Sequence, residues 1–217
     1  MAMPHKPYGT IYEDEWLMVI DKPSGMLVIP TPKKETDTLT DILNRDLNAR
    51  GAGPNAYPCH RLDRETSGLI VYAKGKAVQR LMMDEFKKRL VKKRYIAFVD
   101  GTIKHASGVI SKVIFNRNKK RNETAVTRYR VIRRMRCHTM LEAEPVTGRT
   151  NQIRIHMAGI GHPILGERVY AFRRDFNVKF KRLALHAALI EFTHPVTGRK
   201  MSFASPLPEN LKTLTKD

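Results

Sequence analysis

Cysteine is nearly absent: Cys59 and Cys137 are the only two in a chain of 217 residues. Two thiols cannot build a disulfide framework, and neither sits in a C-x-x-C pair. Cys59 abuts His60, but no second Cys/His cluster at ligand spacing completes a metal site, so reduced, unpaired thiols are expected. Long apolar runs are missing too. No stretch approaches the roughly 20 residues needed to cross a bilayer, which excludes a transmembrane helix. Met1 to Lys6 has no apolar core behind its basic residues and does not read as a signal peptide, leaving the cytoplasm as the expected compartment. Acidic side chains are scarce: 21 Asp and Glu stand against 40 Lys and Arg, a formal charge of +19. A solvated surface does not need that excess, whereas a polyanionic partner explains it.

The basic residues gather at Lys87-Lys88-Arg89, Lys92-Lys93-Arg94, Arg117 through Arg121, Arg133-Arg134-Met135-Arg136 and Lys179 through Arg182. Dispersed among apolar segments, they read as stripes on a folded surface and not as a disordered tail. Nucleic acid is the favoured partner, because an anionic membrane surface calls for a strongly amphipathic basic helix. The length suffices for one sizeable core or two small subdomains, and 41% hydrophobic with 7% aromatic residues suits a globular protein.

Periodicity supplies the elements. Residues 16–20 form a short apolar run read as a buried strand, closed by the turn Asp21-Lys22-Pro23-Ser24-Gly25. Thr36 to Asn48 carries Leu39, Ile42, Leu43 and Leu47 at helical spacing, with Thr36 or Asp37 as cap. Residues 49–58 read as a flexible connection. A strand at 69–73 precedes a helix from about Lys76 to Arg89, whose apolar face is Val78, Leu81, Met82 and Phe86 and whose basic end suits the helix dipole. Tyr95 to Val99 is a strand, and 116–123 a basic loop. Thr127 to Ile132 alternates as a half-buried strand, with Thr139 to Glu144 as its antiparallel neighbour, Leu141 and Ala143 inward. Asn151 to Ile160 reads as a short helix stopped by Gly161. Leu183 to Phe192 is a strand, followed by a turn at 193–198 and a closing strand near 200–203. Strands outnumber helices, and several connections are too short for parallel crossovers. The class is α+β, a mostly antiparallel mixed sheet with flanking helices.

One stretch organises the rest: His60-Arg61-Leu62-Asp63-Arg64-Glu65-Thr66-Ser67-Gly68, ahead of the strand 69–73. Asp63 stands on a loop delivered to a sheet edge, flanked by two arginines, and loops on rigid scaffolds often carry catalytic groups. Read alone, Asp63 is first a turn or capping residue, a position Asp favours for local hydrogen bonding.

The whole string resembles the signature of the RluA-type pseudouridine synthases, with His60 where a sister group usually has Gly. Other stretches match in family order: Lys22-Pro23-Ser24-Gly25, Lys93-Arg94-Tyr95, Ala125 to Tyr129, Gly148 to His156, Gly161 to Gly166, and Leu183 to Ala187. Asn151 departs from the His that members commonly carry. The resemblance implies the pseudouridine synthase fold with a central catalytic cleft, and isomerisation of uridine in RNA without cofactor or metal. The chain reads as one catalytic domain over 1–217, a monomer, with no separate N-terminal RNA-binding domain. RNA selection then rests on its own basic surface, with a tRNA stem-loop or a large-subunit ribosomal RNA hairpin as target.

By resemblance, Asp63 is the catalytic carboxylate, acting as a nucleophile or stabilising an electron-poor sugar centre. Arg154 is its cationic partner, favouring the ionised form; without the family it is a surface helix arginine. Tyr95 stacks on the base and exchanges a proton, or is a core aromatic at a strand start. Arg61 fills the gap left by an extruded base, or holds a phosphate or salt bridge. His60 orders the loop, and Ile153, Ile155 and Leu185 wall the pocket. Two other functions compete. A non-catalytic RNA-binding or ribosome-assembly protein would use the same basic groove but has no need of Asp63, Tyr95 and Arg154 together. A metal-dependent nuclease lacks clustered carboxylates.

Overall fold

The computed structural model describes residues 6–116, 120–171 and 176–216. These form two compact units: the chain up to Val91 with Leu189–Ser205, and Lys92–Ala188 with the chain from Pro206 onward.

In the first unit, β1 (Gly9–Glu13) pairs with β2 (Leu17–Lys22), and β2 with β4 (Ser67–Lys74), both antiparallel. All eight residues of β4 are buried, so its apolar run serves both faces. Leu69, Val71 and Ala73 join Leu17, Val19 and Met82 in one cluster, completed by Ile190 and Phe192. Met82 belongs to α2 (Lys76–Lys87). Val78 and Phe86 pack beside it, while Leu81 is 49% exposed, contrary to the predicted apolar face. At about 100° per residue, positions 78, 82 and 86 make a narrow stripe and Leu81 falls outside it.

Tyr72, on the other face of β4, meets Thr40 Oγ1 at 3.0 Å, which ties β4 to α1 (Leu39–Ala49). Leu39, Leu43 and Leu47 bury the inner side of α1. Its cap is Thr38, not Thr36 or Asp37. The Thr38 side chain accepts from Asp41 N, and Asp41 Oδ2 accepts from Thr38 N, closing a reciprocal box that the other two positions cannot form. The connection 49–58 is not wholly irregular either. Asn44 of α1 accepts from Ala56 N at 2.7 Å and donates to Ala56 O at 3.2 Å, tying β3 (Ala56–Pro58) to α1, while β3 pairs antiparallel with β4. Cys59 is a free, buried thiol, and burial pushes its pKa up to about 12.

In the second unit, β5 (Lys92–Asp100) pairs with β8 (His138–Pro145), β8 with β7 (Arg121–Arg134), and β7 with β6 (Ser107–Asn116), all antiparallel. Thr127 is buried and Arg128 and Arg130 exposed on β7, and Leu141 and Ala143 are buried on β8, as their alternation predicts. Strand β6 is not predicted. It carries apolar residues on both sides, Ile110 and Ile114 buried but Val109, Val113 and Phe115 exposed, so no period of two stands out. Of the predicted basic loop at 116–123, Asn116 ends β6 and residues 121–123 begin β7, with Asn116 paired to Arg121; residues 117–119 lie outside the described residues.

The helix expected at 151–160 is shorter: α3 covers Gln152–Ala158 and has Asn151 as a left-handed N-cap at φ +55°. β9 (Leu185–Thr193) starts two residues later than expected and runs from the second unit into the first, where β10 (Lys200–Ala204) pairs with it. A short helix, α4 (Glu209–Lys212), docks through Leu211, and the 3-10 turn Thr213–Thr215 after it through Leu214, whose carbonyl meets His138 Nε2 at 2.9 Å. Strand-rich antiparallel pairing with peripheral helices is the expected α+β class. No helix among the described residues is long and apolar enough to cross a membrane.

Candidate active site

The Asp63 loop joins β3 to β4. Gly68 enters β4 at φ +109°, a conformation open to glycine and strained for other residues. The turn after β2 clamps this loop from across the sequence. Lys22 is fully buried, and its ammonium donates to Pro23 O at 2.9 Å, Met26 O at 2.8 Å and Arg64 O at 3.0 Å. Ser24 Oγ donates to Glu65 O at 2.6 Å, Gly25 N to Arg64 O at 2.8 Å, and Arg64 Nε returns a bond to Gly25 O at 3.0 Å. Thr66 N to Asp63 O, at 3.1 Å, closes the loop on itself. Asp63 itself is half-buried, Leu62 beside it is buried, and Arg61 is exposed. His60 Nε2 accepts from Val71 N at 3.1 Å and its ring lies 4.7 Å from Phe86, so this side chain orders the loop against β4 and α2.

In the second unit, Tyr95 is 8% exposed and stands fourth in β5, opposite Ala143, and not at the strand start as expected. Lys93 lies two residues earlier, on the same face of β5, and burial lowers its pKa. Leu185 is buried at the start of β9.

Helix α3 is seated by its polar side chains. Gln152 Nε2 donates to Val126 O and Thr127 Oγ1, both at 2.9 Å, and Gln152 Oε1 accepts from Thr147 Oγ1 at 2.6 Å and Arg149 N at 3.0 Å. His156, one turn on, meets Thr127 Oγ1 through Nδ1 at 2.9 Å. All four hydrogen-bonding sites of the buried Gln152 amide are thereby used. With Gln152, Ile153 and His156 buried, Ile155 remains half-buried and Arg154 turns elsewhere.

Arg154 meets Glu167 in a bidentate pair, Nε to Oε2 and Nη2 to Oε1 both at 2.7 Å, and Nη1 donates to Asn151 Oδ1 at 3.0 Å. Its guanidinium lies 5.3 Å from the Tyr170 ring, whose hydroxyl accepts from Asn151 Nδ2 at 2.9 Å. Burial alone would raise the pKa of Glu167. The hydrogen bond from Arg154, those from Val169 N and Arg168 N, and the guanidinium charge outweigh it and hold the carboxyl below its ordinary value. Among the described residues, no group of three or more His, Cys, Asp or Glu is placed to hold a metal ion.

Sequence reasoning passed over Lys22 and Gln152 as anchors, and Glu167, Tyr170 and Lys93. Lys22, Lys93 and Gln152 lie inside the family-like motifs, and Gly166 marks the turn before Glu167, but the partners Arg64 of Lys22, Val126 and Thr127 of Gln152, and Arg154 of Glu167 are distant in sequence.

The family model described as RNA pseudouridylate synthase fits residues 16–159, and the chain belongs to that family, within its RluA type. It is similar to ribosomal large subunit pseudouridine synthase D of Vibrio cholerae, 36% identical over 232 residues covering 96% of this chain and 70% of that protein. It is also similar to the dual-specificity RNA pseudouridine synthase RluA of Escherichia coli strain K12, 37% identical over 215 residues, 94% and 95% of the two chains. The solved structure titled human RNA pseudouridylate synthase domain containing 4 superposes with a TM-score of 0.80 at 25% identity, over 94% of this chain and 90% of that one.

Proposed function

We propose that this chain isomerises specific uridines in structured RNA to pseudouridine, with Asp63 as the catalytic carboxylate. Family membership over most of the length carries this reading above a non-catalytic RNA-binding one, and the clamped Asp63 loop supports it. The target is a tRNA stem-loop or a large-subunit ribosomal RNA hairpin, met by a monomer acting as one catalytic domain in the cytoplasm.

The reaction breaks the C1′–N1 glycosidic bond, turns the uracil while it is held, and forms a C1′–C5 bond. The hydrogen on C5 then leaves as a proton, and N1, freed from the sugar, takes one up. Asp63 attacks, or stabilises the sugar carbon as it loses electrons. Arg154 keeps Asp63 ionised. Tyr95 stacks on the base and moves the proton, and Ile153, Ile155 and Leu185 line the base site. Arg61, exposed next to the clamped loop, stacks where the extruded nucleotide stood, and His60 holds the loop's start.

The test is Asp63→Asn with RNA tritiated at uracil C5. Tritium release should cease while RNA affinity stays near wild type. Turnover at the wild-type rate would remove Asp63 from the chemistry.

A further inference from the structure

We infer that Glu167 is the positioning residue for Arg154, a buried carboxylate that grips one edge of the guanidinium and so fixes where the other edge points. The inference rests on the reading of Arg154 as a catalytic group. An arginine left to itself samples many rotamers, and ordering it costs entropy that other contacts must offset. Here Nε and Nη2 meet both oxygens of Glu167, fork on fork, and Nη1 meets Asn151. Tyr170 lies against the guanidinium and accepts from Asn151, closing the clip from a third side.

Glu167 is itself tightly held. It is 1% exposed, and its Oε1 also accepts from Arg168 N and Val169 N, both at 2.8 Å. The turn that delivers it is built around Gly166, at φ +78°, where a Cβ would stand 1.9 Å from Arg182 O. Leu165, just before, is stitched on both sides: its N–H donates to Phe98 O and its carbonyl accepts from Ala184 N, both at 2.8 Å. Buried ion pairs add little stability over apolar side chains of equal volume. What this pair supplies is direction, since a fork on fork allows one plane and one heading. Neither Glu167 nor Tyr170 touches the reacting atoms in this account; both act through Arg154.

The experiment measures kcat and KM of the full chain on bulk RNA from cells lacking the enzyme, tritiated at uracil C5. Glu167→Gln keeps the shape but turns one acceptor into a donor facing the guanidinium. Its kcat should fall on the order of 10²-fold, the cost of misplacing a catalytic group, with KM within about twofold. Glu167→Asp keeps the charge and should recover kcat to within about tenfold of wild type, the partial rescue expected when Arg154 can follow the shortened carboxylate. In an Arg154→Ala background, Glu167→Gln should lower kcat no further. Wild-type kcat in Glu167→Gln overturns the inference, as does equal loss in the Gln and Asp variants or an additive loss in the Arg154→Ala background. If Arg154→Ala is inactive while Glu167→Gln is fully active, this inference fails and the proposed function stands. If Arg154→Ala turns over normally, the role assigned to Arg154 fails first. Should Glu167→Gln not fold, Asn151→Ala removes the half-buried arm of the same clip. There kcat should drop severalfold at constant KM, and an unchanged kcat overturns the inference.

Discussion

Replacing Lys22 with methionine removes an ammonium group buried beneath the Asp63 loop while keeping most of its length and apolar stem. Three carbonyls lose a charged donor at 2.8–3.0 Å: Pro23 O, Met26 O and Arg64 O. Arg64 O retains the Gly25 N–H, so two of the three bear most of the loss. A buried acceptor stripped of its donor costs about 1–3 kcal/mol, which puts the gross effect at ~2–6 kcal/mol. Methionine carries no charge to desolvate, which returns part of that and leaves a net destabilisation of about 3 kcal/mol. The loop then loses the anchor next to Asp63, the carboxylate proposed for the chemistry, and a shift of about 1 Å at such a group costs on the order of 10²-fold in rate. Trp16, the single tryptophan, lies in the same unit and packs against its core, so its fluorescence in urea reports this unit's unfolding. Tritium release reports the rate. Ser24→Ala is the graded control, losing one exposed bond to Glu65 O, worth about 1 kcal/mol, and only a few-fold in kcat. If Lys22→Met unfolds at the wild-type urea midpoint and turns over at the wild-type rate, the clamp does not hold the Asp63 loop in place.

Two further outcomes are expected. Tyr95→Phe should bind RNA as wild type does yet release tritium ~10²-fold more slowly, the usual weight of a general acid–base group; equal rates would leave the hydroxyl a bystander. His156 is buried, its Nε2 meets no hydrogen-bond partner among the described residues, and burial and then the charge of Lys112 lower its pKa. Its folded-state pKa thus lies below the unfolded value of about 6.5, so the unfolded chain takes up the proton first as pH falls. Stability should be fullest above about pH 6.5 and decline below it, and the decline in urea midpoint should be shallower in His156→Asn. Identical slopes would place the titration elsewhere.

How much of this was legible in the chain depends on how far each signal had to reach. Runs with one strong period announced themselves: Leu39, Leu43 and Leu47 on α1, the alternation at 127–131, the apolar β4. Strand β6 did not, because its apolar residues fall on both sides and only its ladder with β7 defines it. The cap of α1 was misplaced by one or two residues because Thr36, Asp37 and Thr38 are all capping types. Asp37 takes φ +59° and pairs with Arg45 instead, which leaves Thr38 to close the box. Leu81 looked like core because helical spacing alone cannot say how wide the covered stripe is.

The candidate site divides the same way. A loop with Asp63 between arginines, a tyrosine after two basic residues and an arginine after Ile153 are local strings, and residue order alone carries the family they resemble. The supports are a matter of distance along the chain. Lys22 reaches a carbonyl 42 residues away, and Arg154 finds its carboxylate 13 residues on, beyond a glycine turn. Hydrogen bonds are satisfied by whatever lies within about 3 Å, and sequence does not encode that neighbourhood until the sheet has formed. The amino-acid order therefore determined which side chains are available for chemistry. The tertiary structure decided which of them are held still, because only packing can bury a lysine under a turn or set a glutamate against an arginine.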